Sequence, residues 1–148
     1  MKLSARERTG LRAMVELARH HGDGPVSLNE VARIEGLPYR YLEQIAGSLR
    51  RAGLLESVRG AHGGYLLARV PTDISIGDIL RAVEGSLMSV DCIGTDGSCC
   101  IREPVCATKA VYQIVFDRLS ETLDHTSLAD IVACESQSAE IPERIDKQ

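Results

Sequence analysis

Four of the chain's five cysteines fall in one short stretch, Asp91-Cys92-Ile93-Gly94-Thr95-Asp96-Gly97-Ser98-Cys99-Cys100-Ile101-Arg102-Glu103-Pro104-Val105-Cys106. Thiolates bind soft centres such as zinc or iron-sulfur clusters, and an irregular, glycine-containing segment can wrap such a centre without helix or strand constraints. The stretch holds neither a pair of CxxC motifs, as in a zinc ribbon, nor a ferredoxin run. Spacing alone leaves two readings open, a metal or cluster site and a pair of redox-active thiols. An odd number of cysteines in a reducing compartment argues against a disulfide framework. Cys134 stands apart at an apolar helix end and is expected to be a small buried hydrophobe.

The elements that must position this segment read off in order. Leu11, Met14, Val15, Leu17 and Ala18 recur at helical spacing, predicting a helix from about Ser4 to His21 that stops at Gly22-Asp23-Gly24-Pro25. Ser27-Leu28-Asn29-Glu30 reads as a capping box for a short helix burying Leu28, Val31, Ala32 and Ile34 and ending at Gly36. A third helix, from about Pro38 to Ala52, buries Leu42, Ile45, Ala46 and Leu49, with Gly53 as its left-handed terminator. Two strands follow, Leu54 to Arg59 and Tyr65 to Ala68, joined by the hairpin tip Gly60-Ala61-His62-Gly63-Gly64. Helix, short helix, turn, helix and hairpin is the order of a winged helix-turn-helix.

Ser75-Ile76-Gly77-Asp78 predicts a fourth helix to about Glu84, after which regular patterning stops until Ala107. From Thr108 a long amphipathic helix carries Val111, Tyr112, Ile114, Val115, Leu119 and Leu123, and Ser127-Leu128-Ala129-Asp130 caps a last short helix reaching Cys134. The fold class is therefore mainly α with a small β-hairpin. The expected units are a DNA-binding domain over 1–70, a helix and cysteine-containing sensing loop over 71–107, a dimerisation helix with a short terminal helix over 108–134, and a polar, loose tail over 135–148.

Charge divides at the same place. Residues 1–70 hold eleven Lys/Arg against seven Asp/Glu, whereas 71–148 hold six against fourteen, so the net charge of −4 hides a basic N-terminal half. That half can approach phosphates, whose neutralisation supplies most non-specific DNA affinity. Side chains on a major-groove helix tell base edges apart. On the third helix Gln44 can pair with adenine, Glu43 can accept from cytosine, and Arg40 can reach guanine or phosphate. Tyr39 and Tyr41 can bond phosphate or pack on sugar, and Arg50 adds a second cation. Arg59, with His62 at the hairpin tip, is placed to enter an adjacent narrowed minor groove. The expected partner is double-stranded DNA carrying a pseudo-palindromic operator, read by a homodimer.

No apolar run is long enough for a membrane span and the N-terminus lacks a signal-peptide centre, so cytoplasmic location is expected. A thiol oxidoreductase using Cys99-Cys100 is a remote alternative, because the chain has no CxxC, no convincing acid-base pair and no phosphate-binding loop. The protein is not expected to be an enzyme.

Met1-Lys2-Leu3-Ser4, Gly10-Leu11-Arg12-Ala13-Met14, Tyr41-Leu42-Glu43-Gln44, Ser57-Val58-Arg59-Gly60, Gly63-Gly64-Tyr65-Leu66-Leu67 and Cys100-x5-Cys106 together resemble the IscR/NsrR/RsrR/CymR family of bacterial regulators over about residues 1–134. The resemblance implies a dimer built on the long C-terminal helix and a 2Fe-2S or 4Fe-4S cluster held by Cys92, Cys100 and Cys106. It also implies a fourth ligand, either a histidine three residues past the last cysteine or a residue at position eight or twelve. Here those positions are Lys109, Arg8 and Arg12, which leaves Cys99 or Glu7 as the nearest substitutes. A cluster-free alternative is implied as well, a cysteine-metabolism type regulator answering a metabolite or a partner protein.

Overall fold

Helix starts follow from hydroxyl side chains placed one residue ahead of an amphipathic run, where they satisfy exposed amides. In the computed structural model, which describes residues 3–85 and 107–138, Ser4 caps α1 (Ala5–Arg19). Its Oγ accepts from the Glu7 amide while the Glu7 carboxylate accepts from the Ser4 amide. Ser75 and Asp78 form the same reciprocal pair at the start of α4 (Ile76–Glu84), and Ser127 and Asp130 do so at α6 (Leu128–Ser138). The start of α2 (Leu28–Glu35) differs from the expected box. Ser27 Oγ accepts from the Asn29 amide at 3.2 Å, a one-sided cap that does not involve Glu30. Pro38 occupies the cap position of α3 (Tyr39–Arg51), and Gly53, at φ 72°, turns the chain out of it.

The hairpin pairs β1 (Leu55–Val58) with β2 (Gly64–Leu67) in antiparallel register, Leu55 opposite Leu67 and Val58 opposite Gly64. A bridge from Val26 extends it: the Val26 amide donates to the Tyr65 carbonyl at 3.0 Å, and the Tyr65 amide donates back at 2.8 Å. The bridge needs glycine next door. A Cβ on Gly64 would lie 2.3 Å from the Val26 carbonyl oxygen, a backbone atom that cannot swing aside. The wing is thereby fastened to the segment between α1 and α2.

One cluster of buried side chains joins these elements. Met14 of α1, Val31 of α2, Leu42, Ile45 and Leu49 of α3, Leu54, Ile74, Ile79 and Leu80, and Leu128 of α6 are fully buried. Each contributes roughly 1.5 to 3 kcal/mol by leaving water. α5 (Ala107–His125) leads back to that core. After it the Ile76 amide donates to the Thr126 carbonyl at 2.9 Å, and the Leu128 amide donates to the Ile74 carbonyl at 2.8 Å. Arg81 of α4 bonds Asp124 near the end of α5, and that bond raises the guanidinium pKa further above its ordinary value. Earlier along α5, Val111, Tyr112, Ile114 and Val115 are exposed, Ile114 to 62%.

Three further expectations are corrected. Ile34 is 45% exposed, because the inner stripe of α2 continues from Val31 and Ala32 to Glu35, whose carboxylate takes a bond from Arg12. Cys134 is exposed, lying off the inward stripe of Leu128, Ile131 and Val132. Helix α6 runs to Ser138, four residues past the expected end, since nothing in Glu135-Ser136-Gln137-Ser138 breaks a helix.

A candidate nucleic-acid interface on the third helix and wing

Helix periodicity sorts α3 into two faces. Leu42, Ile45, Ala46 and Leu49 are buried, which turns Arg40, Glu43, Gln44 and Arg50 outward, with Tyr39 exposed at the helix start. Tyr41, expected on the outward face with phosphate or sugar as its partner, is half-buried and packs against the core. Arg59 and His62 are exposed beside the tip of the hairpin. Among the described residues, none of Arg40, Glu43, Gln44 and Arg59 makes a side-chain hydrogen bond or ion pair with another. Their donors and acceptors stay available to an outside partner. Arg50 is the exception, its Nη1 donating to Ser57 Oγ at 3.4 Å and linking α3 to β1. Sequence reasoning missed that link, and it missed the Val26–Tyr65 bridge, whose partners lie far apart in the chain.

The proposed cluster ligands divide between the described residues and the rest. Cys92, Cys99, Cys100 and Cys106 lie outside the described residues, which end at Gly85 and resume at Ala107. On the α1 side, Glu7 is buried and its Oε2 accepts from the Ser4 amide at 2.6 Å, so recruiting it as a ligand would disrupt the cap of α1. Arg8 donates to the Leu3 carbonyl. Arg12 grips the end of α2 with two bonds, Nε to Glu35 Oε2 at 2.5 Å and Nη2 to the Glu35 carbonyl at 2.8 Å. Among the described residues no group of three or more His, Cys, Asp or Glu is arranged to hold a metal ion. Four thiols, the soft donors that iron-sulfur clusters take, lie in the sequence between α4 and α5, and the described residues of α1 offer none.

Comparison with known proteins gives this architecture a family. A family model described as "Rrf2: Iron-dependent Transcriptional regulator" matches residues 3–134. The HTH-type transcriptional regulator CymR of Bacillus subtilis is 41% identical over 133 residues, 90% of this chain and 91% of that one. A solved structure described as that organism's global cysteine regulator CymR superposes with a TM-score of 0.75. The structure of T. potens IscR superposes with a TM-score of 0.76 at 41% identity, covering 97% of this chain and 93% of that one. The IscR regulator of Sodalis glossinidius is 36% identical over 148 residues, all of this chain and 86% of its own length. With a winged helix in the structure and regulators of this kind as its relatives, the chain belongs to the Rrf2 family of transcriptional regulators.

Proposed function

We propose that the protein binds a pseudo-palindromic operator as a homodimer, in the cytoplasm where that DNA lies, and that an iron-sulfur cluster on Cys92, Cys100 and Cys106 sets its affinity. The observation that carries the DNA reading is the outward face of α3, with Arg40, Glu43 and Gln44 unengaged within the chain and the wing held beside it. Gln44 and Glu43 read base edges, Arg40 and Tyr39 contact base or phosphate, and Arg59 with His62 enters the flanking minor groove. Two such heads related by a two-fold axis match a palindromic site. The apolar face of α5 supplies the contact between subunits.

A cluster supplies a soft, redox-active centre that responds to iron supply, oxidants or nitric oxide. The chain's own contribution is placement, because the thiol segment joins α4 of the winged-helix core to α5 of the subunit contact. Occupancy shifts operator affinity only by its differential affinity for two arrangements of the reading heads. A second reading, a cluster-free regulator answering a metabolite or partner protein, is favoured by the similarity to the cysteine regulator CymR and by Glu7 serving as a cap.

Purification without air, followed by visible spectroscopy and iron and sulfide analysis, separates the two. Broad absorption bleached by dithionite is expected, lost when Cys92, Cys100 or Cys106 is replaced by alanine and kept in Cys134→Ala. Retention of full iron in Cys106→Ala overturns the ligand set. Loss of cluster in Cys99→Ala would add Cys99 as the fourth ligand.

A further inference from the structure

Arg6 sits in the first turn of α1, where a cation opposes the helix dipole, so its presence there calls for a purpose outside α1. Its guanidinium spans two other helices. Nε donates to the Val83 carbonyl at 3.1 Å, in the last turn of α4, where carbonyls have no partner within the helix and carry the negative end of the dipole. Nη2 donates to Ser48 Oγ at 3.2 Å. Ser48 is buried in the last turn of α3, one turn past Gln44, and its hydroxyl accepts from Arg6 and, at 3.1 Å, from Arg51.

The end of α4 is held by two further contacts. The Ser4 hydroxyl donates to Glu84 Oε1 at 2.5 Å, and a Cβ on Gly10 would lie 2.8 Å from Val83 Cγ2, so only glycine lets α1 lie this close to Val83. We propose that Arg6 is a positioning residue that sets the base-reading helix against the end of α4, through Ser48, and thereby adjusts operator affinity. The inference rests on the reading of α3 as the DNA-contacting helix and adds to it the part that fixes α3 where the cysteine segment departs from the core.

The test compares wild type, Arg6→Gln, Arg6→Lys, Ser48→Ala, Arg6→Gln/Ser48→Ala and a charge-matched control, Arg8→Gln, all stripped of metal, on operator and on random DNA. Arg6→Gln should lose about tenfold on the operator, the scale of one charge-assisted hydrogen bond, with random-DNA binding within about twofold. Ser48→Ala should move the same way, Arg6→Lys should recover part of the loss, and the double variant should lose less than the sum of the two single losses, since both changes remove the shared Arg6–Ser48 bond. Equal losses for Arg6→Gln and Arg8→Gln, or additive losses in the double variant, overturn the proposal. Should Arg6→Gln fold poorly, Ser48→Ala decides by itself, and unchanged operator binding there also overturns it. A second arm repeats the measurements after anaerobic reconstitution with iron and sulfide. A wild-type affinity that does not respond counts against the cluster reading, while Arg6 is still judged by the metal-free arm.

Discussion

The proposed DNA reading gives Gln44 and Arg59 different parts, and their substitution separates the two. Gln44 stands on the exposed face of α3 beside Glu43, where a side-chain amide can bond the two groups of an adenine edge. Gln44→Ala should relax discrimination at one base position by about 1 to 3 kcal/mol and leave random-DNA binding nearly intact, as read by competition against single-base operator variants. Arg59→Ala should weaken binding and flatten any preference for A/T-rich flanks, because a guanidinium in a narrowed groove reads width and not a base edge. Gly64→Ala acts through the backbone. The added carbon meets the Val26 carbonyl at 2.3 Å, so the Val26–Tyr65 bridge should open and the wing should loosen. A lower Tm, with the affinity of Gly64→Ala for operator falling more than its affinity for random DNA, is the expected result.

Helix α6 illustrates how a terminal element responds to acid. The Ser127 hydroxyl, and after it the Ser127 amide, hold the Asp130 carboxyl below the ordinary carboxylate range. A lowered folded-state pKa contributes stability above the unfolded value of about 3.9 and loses it as pH falls through the folded value. Hydrogen exchange at the first amides of α6 should therefore quicken below about pH 4, and Asp130→Asn should abolish that step. Two caps of this kind were legible in the sequence, since Ser75 with Asp78 and Ser127 with Asp130 are local in the chain and sit ahead of apolar periodicity. The buried face of α3 and the glycine-rich hairpin were legible for the same reason. The Val26–Tyr65 bridge, the Arg6–Ser48 bond and the exposure of Ile34 were not. The two pairs depend on partners dozens of residues away, and Ile34 on a stripe whose phase is set by neighbouring helices. Of the candidate site, the α3 and wing residues could be read from type and spacing, whereas nothing local announced that Arg12 is bound to the end of α2; the Ser4-x-x-Glu7 spacing that ties Glu7 into a cap was local and was missed.

At the scale of the molecule the exposed apolar face of α5 is what a second subunit would cover. Val111, Tyr112, Ile114 and Val115 project from one stretch of a helix that meets the core near its far end. Ile114→Asp with Val115→Asp should give monomer or aggregate in ultracentrifugation; an unchanged dimer would refute the assignment. Leu128, fully buried among residues of the winged helix, gives a contrasting expectation. Leu128→Ala should cost about 2 to 5 kcal/mol of stability, measured by denaturant unfolding, although the residue is fully buried and cannot itself touch DNA. The Leu128 amide also closes onto the Ile74 carbonyl, so the reading head is completed by a residue that the ribosome adds well after the wing. Domains generally fold as units while the chain emerges, N-terminal parts first. A nascent chain that has emerged only through α3 and the wing still lacks Leu128, one of the fully buried side chains of this core. A chain that ends before Leu128 should therefore unfold at lower denaturant than the full chain.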